Sequence, residues 1–138
     1  MPYPEQLCAP MRADLVNEGF KELKTAEEVK AALNDSKGTA LLVINSVCGC
    51  AAGAARPAVK QSLKGQKRPD HLYTVFAGQD LEATAEARKF TLPYPPSSPS
   101  IGLFKDGKLV HFIERYHIEG HPSEFIAENL QAAYEEYC

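Results

Sequence analysis

The spacing of apolar and polar positions changes several times along the chain, and each change marks an element. Leu41, Leu42, Val43, Ile44 and Val47 form a short, nearly continuous apolar run. A strand covered on both faces carries such a run, whereas a strand with one wet face alternates. Upstream, Ala26, Val29 and Leu33 recur at helical spacing behind Thr25 and Glu28, a capping box in which each side chain takes the other's free backbone N–H. This predicts a helix to about Asn34, ended by Lys37-Gly38. Leu15, Val16, Phe20 and Leu23 are also near helical spacing, behind Pro2, Pro4 and Pro10. Residues 1–24 are therefore expected to form a docked arm with one short helix.

After the apolar run the chain turns alanine-rich, AAGAARPAVK, with high helix propensity. Pro57 lacks the N–H that would bond to the Gly53 carbonyl, which predicts a kink. HLYTVFAG, residues 71–78, is rich in β-branched and aromatic residues and closed by Gly78, a second strand. Asp80 is placed to cap a helix over 81–90. LPYPPSSPS, with prolines at 93, 95, 96 and 99, excludes helix. SIGLFKDGKLVHFIERY then gives two β runs around Asp106-Gly107, a dipeptide favoured in two-residue hairpin turns. Behind His121-Pro122-Ser123, Phe125, Ile126, Leu130, Ala133, Tyr134 and Tyr137 mark a terminal helix. Parallel βαβ units followed by an antiparallel hairpin and a helix make an α/β architecture, expected as a single domain over residues 1–138.

A length of 138 residues suffices for one core without cross-links. The net charge of -3 offers no basic field for nucleic acid. No apolar run approaches the roughly eighteen residues that a membrane span needs. MPYPEQLCAPMR lacks the charged and apolar regions of a secretory signal, so the cytoplasm is the expected compartment. In that setting four cysteines point to redox or metal chemistry more than to a disulfide framework.

Cys48 and Cys50 flank Gly49 where the apolar run ends and the alanine-rich helix begins. Thiols at a helix N-terminus meet free N–H donors and the positive end of the dipole, which favour the thiolate that attacks disulfides. The chemistry implied is thiol–disulfide exchange. A bridge between residues two apart closes a tight ring, and Gly49 is the turn residue that lets both Cβ atoms approach. Such a bridge is expected to be strained, oxidising and cycling. Cys48, nearer the N-cap, is expected to be the more exposed and more acidic thiol. A metal site stays as an alternative: Cys48 and Cys50 with Cys8 or Cys138 and one of His71, His111, His117 or His121. Structural zinc sites usually use C-x2–4-C spacing with a second pair, which this sequence lacks, so no metal and no cofactor is expected. A redox-inactive interaction domain is the third class, and the intact CGC pair argues against it.

A redox pair opening the helix after the first clear strand, with Pro99 just before the hairpin, resembles the thioredoxin-like fold. That fold is a three-layer sandwich with a central mixed β-sheet flanked by helices. The resemblance implies a cis Ser98–Pro99 bond packed against the dithiol, with the Ser98 backbone holding a substrate strand. The departure is CxC where that superfamily commonly has CxxC. INSVCGCAAGAARP (44–57), TVFAGQDLEAT (74–84), YPPSSPS (94–100) and LVHFIERYHIEG (109–120) resemble the bacilliredoxins over essentially the whole chain. This implies a cytosolic thiol–disulfide oxidoreductase that removes bacillithiol from S-bacillithiolated proteins, Cys48 attacking and Cys50 resolving. A general protein disulfide isomerase or reductase, using the same residues, is the alternative. Bacillithiol is then a thiol co-substrate, client proteins are the partners, and a low-molecular-weight thiol or a reductase recycles the pair. The malate carboxylates of bacillithiol favour a nearby cation, and Arg56, within two turns of Cys48, is the candidate. Cys138 is a candidate for an intermolecular disulfide and hence a homodimer; Cys8 has no role assigned.

Overall fold

The structure is a computed structural model and describes residues 3–34 and 37–138. Its elements are α1 (Glu5–Val16), β1 (Lys21–Glu22), α2 (Ala26–Asn34), β2 (Thr39–Asn45), α3 (Arg56–Ser62), β3 (His71–Phe76), α4 (Leu81–Phe90), β4 (Ser100–Lys105), β5 (Lys108–Ile113), α5 (Arg115–Ile118) and α6 (Ser123–Tyr137). A π-helical turn, Ala51–Ala55, runs directly into α3.

The apolar run becomes β2, the middle strand of a sheet ordered β1-β3-β2-β4-β5. It pairs parallel with β3 and antiparallel with β4. Every residue of β2 is buried, because both faces are covered. Leu41 and Val43 enter a core with Ala58 and Val59 of α3 and Leu130 and Tyr134 of α6. Ala40, Leu42 and Ile44 enter a second core with Val29 and Leu33 of α2 and Ala83 and Ala87 of α4. The alternation of a strand thus distributes one apolar run between two layers of helices, which is the expected three-layer sandwich.

Glu28 N–H donates to Thr25 Oγ1 at 3.1 Å and Thr25 N–H to Glu28 Oε1 at 3.2 Å, the reciprocal box that opens α2. The glycine expected to close that stretch, Gly38, has φ 82°; residues 35 and 36 before it lie outside the described residues, as do Met1 and Pro2 of the expected arm. Asp106 and Gly107, at φ 51° and 82°, make the left-handed two-residue turn between β4 and β5. The ladder slips by one residue between Leu103 and Phe104, leaving Val110 as the extra residue of a β-bulge.

Several expectations need correction. The N-terminal helix begins at Glu5, earlier than the apolar spacing suggested, and contains Pro10, whose missing N–H costs only the bond to the Gln6 carbonyl. Gly19, at φ 102°, separates α1 from the next segment, so Phe20 to Leu23 is not helix; Lys21 and Glu22 pair with β3 as an edge strand. Asp80 does precede α4, but its carboxylate caps nothing: Arg12 draws it away at 2.6 Å while also pairing with Glu5 and Glu22. Phe125 lies on the exposed side of α6, and Ile126, Ala127, Leu130, Ala133 and Tyr134 form the core face. The kink expected at Pro57 takes the form of the π turn, in which the Arg56 N–H reaches back to the Ala51 carbonyl. Among the described residues no helix is long and apolar enough to cross a membrane.

Candidate active site

The chain leaves β2 through a clamp of buried polar groups. Asn45, the last residue of the strand, accepts hydrogen bonds at Oδ1 from Ser46 N–H (2.9 Å) and Arg56 Nη1 (2.8 Å), and donates from Nδ2 to the Met11 carbonyl (3.1 Å). Arg56 Nη1 also donates to the Ser46 carbonyl at 3.1 Å, and its Nε lies 3.4 Å from Asp14. Ser46 Oγ then accepts from Cys48 N–H at 3.2 Å. The Cys48 carbonyl receives the N–H groups of Ala51 and Ala52, at 3.0 and 3.3 Å, so Cys48 stands at the N-cap of the helical segment.

The two Sγ atoms of Cys48 and Cys50 are 2.8 Å apart as free thiols, each half-buried. Their acidities diverge. Cys48 is held below the usual thiol range, first by the hydrogen bond from the Cys50 thiol, with burial opposing, then by the Cys50 and Ala51 N–H groups and the Arg115 charge. Cys50 is pushed above it, by burial and then by its hydrogen bond to Cys48. The thiolate is accordingly favoured on Cys48 and the proton on Cys50. The expected difference in acidity is present, and burial is the first cause that raises Cys50. In this dithiol state Gly49 is exposed, its φ is not positive, and a Cβ built there meets no atom within 4 Å; the expectation that it lets a bridge close concerns the disulfide state. Space does not demand a glycine at that turn.

The Ser98–Pro99 bond is cis, and so is Leu92–Pro93. Pro99 is buried, while Ser98 lines a groove of about 400 Å³ together with Cys48, Val47, Tyr3, Arg88 and Arg115. Arg115 Nη1 donates to the Ser98 carbonyl at 3.3 Å, and its Nε and Nη2 reach Glu119 at 3.3 and 3.2 Å. Arg56, the cation proposed from spacing, is absent from this wall. It is 5% exposed, and its Nη1 donates to Asn45 and Ser46, so the side chain supports the turn before the thiols instead of meeting a substrate.

Arg115 and Arg88 were missed from sequence. The Asp106-Gly107 turn gives only half the signal for Arg115: its unslipped register would set Glu114 across from Pro99, and the bulge, which pairs Ile101 with Ile113, sets Arg115 there instead. For Arg88, one residue of a helical run, the sequence holds no comparable signal.

The remaining candidates lie elsewhere. A groove of about 430 Å³ between β5 and α6 contains His111, His117 and His121 but neither active thiol. Although it is slightly larger, the reacting sulfur places the chemistry in the other groove. His111 Nε2 is 2.6 Å from Asn129 Oδ1, His117 Nδ1 accepts from Glu114 N–H, and His71 stacks on Tyr73. Cys8 is buried in α1 and Cys138 is exposed beyond α6. Among the described residues no three His, Cys, Asp or Glu side chains are grouped so as to hold a metal ion.

Residues 3–138 match the family model described as disulphide isomerase. A bacilliredoxin of Cytophaga hutchinsonii is 60% identical, over 97% of this chain and 98% of its own length. Bacilliredoxins of Geobacillus kaustophilus and Halalkalibacterium halodurans are 54% and 56% identical, each over 99% of this chain and 94% of theirs. Among solved structures, the thioredoxin of Malassezia sympodialis superposes with a TM-score of 0.59 at 14% identity, covering 86% of this chain and 90% of that one. The thioredoxin of Fasciola hepatica gives 0.57 at 16% identity, over 86% and 100%. The mixed five-stranded sheet with helices on both faces is thus a thioredoxin fold.

Proposed function

The chain belongs to the bacilliredoxin family of thiol–disulfide oxidoreductases, and from that premise we propose that it removes bacillithiol from S-bacillithiolated client proteins in the cytoplasm, using Cys48 as nucleophile and Cys50 as resolving thiol. The observation that carries this reading is the placement of the pair: Cys48 at the N-cap of the helical segment with its Sγ 2.8 Å from that of Cys50, an arrangement that favours the thiolate on Cys48 and pushes the Cys50 thiol up.

The Cys48 thiolate attacks the bacillithiol sulfur of the client–bacillithiol mixed disulfide. The old S–S bond breaks, the client leaves as a thiolate that takes a proton from solvent, and bacillithiol becomes joined to Cys48. Cys50, once deprotonated, then attacks the Cys48 sulfur, releasing bacillithiol and leaving a Cys48–Cys50 disulfide. If a second bacillithiol resolves the adduct instead, the products are bacillithiol disulfide and the Cys48 thiol. Two electrons reach the client in the first route, and a low-molecular-weight thiol or a reductase restores the dithiol. The role of Gly49 in this cycle is to let the two sulfurs meet in the bridged state, and Pro99 with Ser98 flanks the incoming disulfide.

Trapping tests the assignment. Cys50→Ala should accumulate a bacillithiol adduct on Cys48, read as a mass increase on the peptide containing Cys48; an adduct found only on Cys50, in the Cys48→Ala protein, would reverse the roles. The disulphide isomerase description of the matching family favours a second reading, general disulfide isomerisation or reduction by the same two thiols. It differs in showing no preference for bacillithiol over glutathione.

A further inference from the structure

Among the arginines drawn wholly or partly out of solvent, half-buried Arg88 stands apart from buried Arg12 and Arg56. Arg12 is met by Glu5, Glu22 and Asp80, and Arg56 by Asn45, Ser46 and Asp14. Arg88, on α4, has an Nε closed off from solvent with no hydrogen-bond partner, and among the described residues its guanidinium forms no ion pair. Burial alone pushes its pKa down, with no acid offsetting it. A guanidinium N–H shielded from solvent without an acceptor is costly, and proteins ordinarily supply one. Here the side chain forms part of the wall of the Cys48 groove, whose lining contains two arginines and no acidic residue.

Arg115, the second cation, is half-exposed and held on its outer side by Glu119, an exposed pair that is weak by itself. Its position is fixed from the other side by the Ser98 carbonyl. An anion entering the groove can therefore replace Glu119 on Arg115 without moving the backbone, while giving Arg88 the acceptor it lacks.

We propose that the groove beside Cys48 is an anion subsite in which Arg88 and Arg115 hold the carboxylates of the low-molecular-weight thiol that becomes joined to Cys48. This deepens the exchange reaction proposed above and rests on it for the identity of the joined thiol. Arg88 is the fixed cation of the subsite; Arg115 is the exchangeable one, released from Glu119 as the ligand binds. The ligand class is a thiol bearing a compact dicarboxylate, which the malate group of bacillithiol provides and the two widely separated carboxylates of glutathione do not. A neutral thiol gains nothing from either arginine.

The test uses the full chain and one client protein carrying either mercaptosuccinate, a dicarboxylate, or 2-mercaptoethanol, a neutral thiol, as its mixed disulfide. The quantity read is the ratio of the two rates of transfer to Cys48. A charge-assisted contact predicts that Arg88→Gln lowers this ratio about tenfold. Arg115→Gln should lower it less, because Glu119 already neutralises part of that charge. Glu119→Gln, at an exposed position, should raise it by freeing Arg115. A ratio unmoved by Arg88→Gln, or rates that fall together for both adducts, would overturn the subsite. Should Arg88→Gln fail to fold, Glu119→Gln decides alone: a ratio that stays level or falls contradicts the proposal. Because neither probe is bacillithiol, the two readings fail separately. Loss of action on a bacillithiolated client with the ratio intact removes the substrate assignment and leaves the subsite.

Discussion

Arg56 donates to Asn45 Oδ1 at 2.8 Å within the protein, tying α3 to the last residue of β2 immediately before the thiols. The same nitrogen holds the Ser46 carbonyl. Arg56→Ala takes this donor from the Ser46 carbonyl and leaves Asn45 Oδ1 with the Ser46 N–H alone, a loss on the order of 1–3 kcal/mol. Urea unfolding should show it as a lower midpoint with an unchanged slope. A shift within about 0.5 kcal/mol, the range of an ordinary surface substitution, would contradict the clamp.

The depressed Cys48 pKa makes a signed prediction for pH. Its reaction rate with a neutral alkylating agent should rise with pH through an inflection below that of an ordinary thiol, because the thiolate is the reacting form. Cys50→Ala removes the largest cause of the depression, so the inflection should move to higher pH. Added salt screens the Arg115 contribution and should move it the same way, by less. An inflection that falls in the Cys50→Ala protein would contradict the assignment of the proton.

Gly107 sits where the hairpin turn meets the end of α2. It holds φ 82° in the hairpin turn, and a Cβ there would lie 3.3 Å from the Leu33 carbonyl oxygen. Gly107→Ala should cost about 1–2 kcal/mol from the left-handed conformation alone. Thermal unfolding monitored by circular dichroism checks this, and an undiminished midpoint would show that the turn can change type freely.

What could be read from sequence divides along physical lines. The β2 run was legible because both faces of the strand are buried, so no alternation had to be disentangled. The CGC pair was legible because its position at a strand-to-helix junction is itself the chemistry. Arg56 was misplaced because the Ala51–Ala55 π turn shifts the phase of everything after it, and spacing from Cys48 then no longer tells which way a side chain points. Arg115 was hidden by the bulge at Val110. The unslipped register, Lys105 with Lys108, would carry Glu114 across from Pro99; the bulge substitutes Arg115 and so changes the sign of charge beside the thiols. The length of α1 was obscured by Pro10 and by core contributions from Cys8 and Arg12, which no apolar stripe announces.

The most direct measurement is the rate at which the reduced protein frees a client thiol from bacillithiol, compared with the same client carrying glutathione, for the wild type, Cys48→Ala and Cys50→Ala. The account predicts rapid release of bacillithiol that vanishes in Cys48→Ala, a trapped adduct in Cys50→Ala, and little action on glutathione. Equal, slow action on both adducts, or full activity without Cys48, would contradict it.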